Sequence, residues 1–216
     1  MQVKKLKHKS WLSYCMLSSL VWLVALFALP AYSASKTVLV LGDSLSAEYG
    51  LARGKGWVSL LQNQLETTKI DVKVINASIS GETTAGGKTR LSALLQQHKP
   101  SIVIIELGGN DGLRGLALKN TEANLRDMIK QATASKAQIL LLGMQIPPNY
   151  GVAYSKQFAQ TFTELGREKN VKLVRFFLAG LEDIDKFFQA DHIHPNELAQ
   201  SILLANIWPS LLSLLK

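Results

Sequence analysis

Four short segments of this chain carry the residue types needed for nucleophilic attack on a carbonyl carbon. In the first, Gly42-Asp43-Ser44-Leu45-Ser46 follows directly on an apolar run, which sets the Ser44 hydroxyl at an expected turn from a strand into a helix. A serine so placed is exposed, and its own backbone N–H can point at the oxygen of a carbonyl under attack. The segment is not the G-x-S-x-G elbow, and taken alone Ser44 also reads as a helix N-cap. In the second, Asn76-Ala77-Ser78-Ile79-Ser80-Gly81-Glu82-Thr83, Gly81 can offer a backbone N–H without steric obstruction, or can simply turn the chain. In the third, Gly108-Gly109-Asn110-Asp111, paired glycines permit a tight bend from which Asn110 can aim its amide back at the site, a plain turn again being the alternative. In the fourth, Asp191-His192-Ile193-His194-Pro195 sets a carboxylate three residues before an imidazole, close enough on a turn to face one pocket. A capping aspartate beside a surface histidine is the plainer reading of that last segment.

The chemistry explains why these types belong together. A serine holds its proton tightly at neutral pH, so attack needs an imidazole that accepts the proton and then returns it to the leaving group. A carboxylate behind the imidazole fixes its tautomer and stabilises its transient charge. Backbone N–H groups and a side-chain amide stabilise the oxyanion. Each signal is modest alone, but four of them at the ends of successive elements are hard to ascribe to chance.

The elements that must position these segments are legible from apolar periodicity. Residues 37–41, 72–75, 102–107, 138–144 and 171–176 form short β-branched runs, several apolar on both faces, as parallel strands covered by helices are. Helical spacing occupies residues 57–65, 90–97, 122–134 and 154–169 between them. A last helix is expected to start beside Pro195, to carry Leu198, Ile202, Leu203 and Ile207 inward, and to end before Pro209. This alternation predicts a doubly wound α/β sandwich, whose ligands bind at the carboxyl ends of the strands, where the polar segments lie.

Composition narrows the function classes. Residues 1–10 carry Lys4, Lys5, Lys7 and Lys9 and no acid, and residues 11–29 form an apolar run, the layout of a secretory signal peptide. Small residues at Ala31, Ser33 and Ala34 put the cut at Ser33 or Ala34; an uncleaved anchor is the competing reading, because the run approaches the roughly 18–20 residues that span a bilayer. The expected organisation is a leader over residues 1–34 and a single domain over residues 35–216, exported to the periplasm or secreted, without stable membrane insertion once the leader is gone. Four of the 24 basic residues lie in that leader, leaving 20 against 16 acids, and no basic run interleaved with aromatics follows, which argues against a nucleic-acid partner. Cys15, the only cysteine, also lies in the leader, so the mature chain is expected to have no disulfide, thiolate metal site or cysteine nucleophile.

Taken together, Gly42-Asp43-Ser44-Leu45-Ser46, Gly81, Gly109-Asn110-Asp111 and Asp191-x-x-His194-Pro195 resemble the four blocks of the SGNH (GDSL) hydrolase family, in order and over essentially the whole mature chain. Asn76 to Gly81, Glu106 to Gly115 and Met144-Gln145-Ile146 resemble in particular the bacterial periplasmic TesA-like group of thioesterases, lysophospholipases and arylesterases. The resemblance implies a flavodoxin-like α/β/α fold with a mainly parallel five-stranded sheet, and no metal or cofactor. It makes Ser44 the nucleophile, His194 the general base, Asp191 its orienting carboxylate, and Ser44, Gly81 and Asn110 the oxyanion donors. The implied substrates are small acyl esters, thioesters or lysophospholipids, acted on by a monomer. An acetylesterase acting on acetylated carbohydrate and a non-catalytic binding module are the alternatives, the second leaving Asp191 and His194 without a task. Two positions depart from the group's pattern: Glu48 and His192 stand where it commonly has glycine. Two apolar loops, residues 112–118 with Leu113 and Leu116, and residues 146–150 with Ile146 and Pro147, are expected to wall an acyl chain, unless their side chains merely pack on the neighbouring helix.

Overall fold

The computed structural model describes residues 36–216; the leader and its cleavage site lie outside the described residues. Five parallel strands form one sheet: β1 (Lys36–Gly42), β2 (Val72–Asn76), β3 (Ile102–Glu106), β4 (Gln138–Leu142) and β5 (Val171–Val174), in the order β2-β1-β3-β4-β5. The seven helices among the described residues are α1 (Trp57–Thr67), α2 (Thr84–His98), α3 (Gly109–Leu113), α4 (Leu118–Ala134), α5 (Val152–Leu165), α6 (Ile184–Phe187) and α7 (Gln200–Leu215). Helices α1 and α7 pack together on one face of the sheet, while α2, α4 and α5 line the other, giving the three-layer α/β/α sandwich that the sequence predicted.

The central strands are apolar on both faces because both faces are covered. Val38 to Leu41 and Ile102 to Ile105 are wholly inaccessible to water, as are Ile139 to Leu142. After β1 the chain winds outward to β2, then crosses back to place β3 on the other side of β1. The loops leaving β1 and β3 therefore part from one another at the carboxyl edge and open a crevice between them. Both Gly42-Asp43-Ser44 and Gly108-Gly109-Asn110 sit at that point, with Gly42 in register with Glu106.

Three expectations are corrected. Ser44 does not start a helix: β1 runs into a series of turns, in which the Ser46 and Ala47 N–H groups donate to the Asp43 carbonyl at 3.2 and 3.0 Å, and α1 begins only at Trp57. Leu198 does not point inward; it is 64% exposed on a 3-10 turn (Glu197–Ala199), where Ala199 takes the buried position. Helix α7 does not stop before Pro209 but runs through it to Leu215. Proline in a helix interior costs about 3 kcal/mol, yet Leu203, Ile207 and Leu211 are buried on both sides of it. The carbonyl of Ala205, which loses its helical donor, lies on the exposed side where water can reach it. The 3-10 turn and α7 together, Glu197–Leu215, are long and apolar enough to cross a membrane by length and composition, and the buried third of this segment packs on the sheet and on α1.

Candidate active site

The turn after β1 is built on a buried acid. Glu106 closes β3 with no exposure to solvent, and its Oε2 accepts the Asp43 N–H at 3.2 Å and the Ser46 hydroxyl at 2.7 Å. A side chain at Gly42 would put its Cβ 2.7 Å from that same oxygen, so only glycine leaves room for the carboxyl group beneath the turn. Asp43 is also buried; its Oδ1 accepts the Leu45 N–H at 3.1 Å and its Oδ2 an Asn110 amide hydrogen at 3.0 Å. Ser44 is thereby turned outward between two fixed neighbours.

Across the crevice, His194 Nε2 lies 2.9 Å from Ser44 Oγ, and His194 Nδ1 lies 2.6 Å from Asp191 Oδ2. Asp191 holds its own loop: its Oδ1 accepts the N–H groups of Ile193 and His194, both at 3.0 Å. Burial works to raise the Asp191 carboxyl, but these N–H donors and the imidazole outweigh it and bring the group down to about 2. At neutral pH Asp191 is ionised, so Nδ1 carries the proton that faces it and Nε2 is left to accept from Ser44. Gln200, buried at the start of α7, donates from Nε2 to the carbonyls of Pro195 and Asn196 and accepts the Trp57 N–H at 3.0 Å. The histidine loop is thus tied to the first turns of both α1 and α7. Tyr49 covers the imidazole, with ring centroids 4.4 Å apart, and Gln189 Nε2 donates to the carbonyls of Tyr49 and Pro195.

The third side is formed by Gly81 and Asn110. Gly81 has φ +78°, a left-handed conformation that favours glycine, and Arg114 Nη2 donates to its carbonyl at 3.0 Å. Asn110 uses its two amide hydrogens on Asp43 Oδ2 and on the Glu82 carbonyl, both at 3.0 Å. Glu82 is itself held by a bidentate Arg90 guanidinium. Asp111 anchors the loop from below, accepting the Thr84 N–H at 2.9 Å and the Thr84 hydroxyl at 2.5 Å at the start of α2. Among the described residues neither the Ser44 N–H nor the Gly81 N–H donates a hydrogen bond, so both are free to meet an anionic oxygen. No group of three or more His, Cys, Asp or Glu side chains suited to a metal converges among the described residues.

Residues 40–202 match the model of the GDSL-like lipase/acylhydrolase family. The chain is 48% identical over 192 residues to an esterase TesA of Pseudomonas aeruginosa, covering 89% of this chain and 96% of that protein. The chain belongs to this family. It is also 41% identical to the thioesterase 1/protease 1/lysophospholipase L1 of Escherichia coli, over 79% of this chain and 81% of that one. A crystal structure of TesA superposes with a TM-score of 0.80 at 49% identity, covering 83% of this chain and 99% of the other.

The two departures noted in the sequence have a backbone explanation. Glu48 and His192 both have positive φ, 59° and 56°, the conformation for which glycine is the unstrained choice. Glu48 offsets its strain with side-chain bonds: it accepts the Gly54 and Gly56 N–H groups at 3.0 and 2.9 Å and the Ser59 hydroxyl at 2.7 Å. Burial opposes its ionisation, but these donors and nearby Arg53 together outweigh it and lower its carboxyl below the usual glutamate range. It therefore staples the loop that carries Tyr49 to the start of α1. His192 is exposed, with its N–H donated to the Gln189 carbonyl at 2.9 Å.

Of the expected acyl-wall residues, Leu113 is half-buried against the core, Leu116 is 41% exposed and Pro147 is exposed. Ile146 is only 7% exposed and lies under α3, where a Cβ on Gly112 would come within 2.9 Å of its methyl group. Sequence reasoning missed Tyr49, Glu106, Gln189 and Gln200. Glu106 alone carried a usable signal, an acid ending an otherwise apolar strand; the other three are distant in sequence from what they hold.

Proposed function

We propose that the mature chain is a periplasmic serine hydrolase that cleaves acyl esters and thioesters through an acyl-enzyme on Ser44. The observation that carries this reading is the continuous hydrogen-bond path from Ser44 Oγ through His194 to Asp191 at the crevice of the sheet. Ser44 attacks the acyl carbon while His194 Nε2 takes its proton, and Asp191 stabilises the imidazolium without being protonated. Backbone N–H groups of Ser44 and Gly81 and an Asn110 amide hydrogen meet the oxyanion, the last by sharing the bond it now gives to Glu82. His194 then protonates the leaving alcohol or thiol, and water, activated by the same imidazole, releases the acid. The names of the relatives support the ester and thioester range.

Residues 1–34 serve in this reading as the cleaved export leader, and the remainder acts as a monomer. Leu113, Leu116 and Pro147 line the acyl chain's path, with Ile146 backing them from the core. Each buried methylene contributes roughly 0.8 kcal/mol, so catalytic efficiency should rise with acyl length until the path is full. Two measurements test the proposal. A fluorophosphonate probe should label the wild type and leave Ser44→Ala unlabelled and inactive with an unchanged circular dichroism spectrum; labelling of Ser44→Ala would remove the nucleophile assignment. Rates on acetyl, octanoyl and palmitoyl esters, a thioester and a lysophospholipid should favour the longer acyl groups, whereas equal efficiency on acetyl and octanoyl esters would move the reading to an acetylesterase.

A further inference from the structure

Two buried acids lie directly beneath the Ser44 turn and take no part in the proton transfers assigned to Ser44, His194 and Asp191. Glu106 is wholly buried and Asp43 is 2% exposed. The Asp43 N–H donates to Glu106 Oε2 at 3.2 Å, which sets the two acids side by side out of water. Two adjacent carboxyl groups out of water cannot readily both ionise. Burial pushes Asp43 up to about 6, and burial together with the Asp43 charge pushes Glu106 well above the usual glutamate range.

The surroundings decide which of the two keeps the proton. Asp43 accepts N–H bonds on both oxygens, from Leu45 and Asn110; the His194 imidazole favours its ionised form only when it carries the second proton, and the charge of Glu82 is matched by Arg90. Glu106 accepts on Oε2 alone, from Asp43 N–H and Ser46; its Oε1 is buried with no partner among the described residues. Asp111, the remaining acid on the oxyanion loop, is engaged by Thr84 and Thr121.

We propose that Glu106 carries the one proton of a buried acid pair and thereby leaves Asp43 ionised at neutral pH to hold the Asn110 carboxamide in its donating orientation. Both acids are positioning residues, acting on the oxyanion through Asn110 and the Ser44 turn. This inference rests on the assignment of Asn110 as an oxyanion donor, but its spectroscopic test does not.

The first measurement is kcat and KM for a p-nitrophenyl ester between about pH 5 and pH 9. Asp43→Asn should lower kcat by roughly 10- to 10²-fold, less than deleting the donor itself, with KM little changed. It should also make the acid limb of kcat shallower, because one titrating group has been removed. Glu106→Leu should cost a similar factor, and Glu106→Gln, which supplies a neutral donor and the same acceptor, should recover most of that loss. Wild-type kcat in Asp43→Asn, or no recovery in Glu106→Gln, would overturn the proposal. The second measurement is infrared spectroscopy of the resting protein at about pH 8. The carbonyl stretch of a protonated carboxylic acid should be present in the wild type and absent in Glu106→Gln. Absence of that band from the wild type would overturn the shared-proton pair even if an Asp43 variant failed to fold. Because the band needs no turnover, its presence in a protein that failed to react with fluorophosphonate would locate the error in the Ser44 assignment instead.

Discussion

Side chains that face Ser44 are held by neighbours outside the hydrogen-bond path from Ser44 through His194 to Asp191. Asn110 illustrates this: its two amide hydrogens are spoken for, by Asp43 and by the Glu82 carbonyl, so its plane is fixed before any substrate arrives. Asn110→Ala should therefore lower kcat by roughly 10²- to 10³-fold with a much smaller change in KM, measured by steady-state hydrolysis. Asp191 gives a second expectation at this scale. Its folded value of about 2 lies below its usual 3.8, so it contributes stability above the unfolded value and loses that contribution as pH falls from about 4 toward 2. Asp43 has the opposite sign: raised to about 6, it favours folding below 3.8 and that contribution disappears as pH rises through about 6. Thermal melts at stepped pH should show Asp191→Asn losing less stability than the wild type between about pH 4 and pH 2, because the substituted amide has no proton to take up.

At the scale of elements, the loop between β1 and α1 does the work that a helix directly after β1 was expected to do. Its turns present Ser44, its middle lays Tyr49 on His194, and its end is closed by Glu48 on the N–H groups of Gly54 and Gly56. Glu48→Ala removes these bonds while keeping a side chain in the left-handed conformation. It should cost about 1–2 kcal/mol in a denaturant titration, by analogy with the loss of a helix cap. Glu48→Gly removes the same bonds but relieves the strain, so it should be the milder change.

At the scale of the molecule, one close approach links the far layer to the site. A Cβ on Gly87 would come within 2.3 Å of a Leu107 methyl group and 3.4 Å of Met128 Sδ, so α2 lies against the sheet only because this position has no side chain. Gly87→Val should overpack that contact by roughly 1–3 kcal/mol, seen as a lower urea midpoint. Since α2 starts at Thr84, which Asp111 holds, the same substitution should also lower kcat by disturbing the Asn110 loop. The sequence by itself determined the parallel α/β/α class, because strands buried on both faces must be apolar throughout, and it marked the polar segments at the carboxyl ends of the strands. Glu48 and His192 stood out only against the pattern of the group that the chain resembles, and without the reason, which is a positive φ that no composition reports. Helix ends were less legible: α7 passes through Pro209 because burial of Leu203, Ile207 and Leu211 outweighs a local preference. What only the tertiary structure decided is the distance between residues remote in the chain. Ser44 and His194 are 150 positions apart and meet at 2.9 Å, while Gln200 reaches Trp57 across 143 positions. Such meetings arise from the crossover that places β3 beside β1 and the packing of α7 on α1, and no local propensity encodes them.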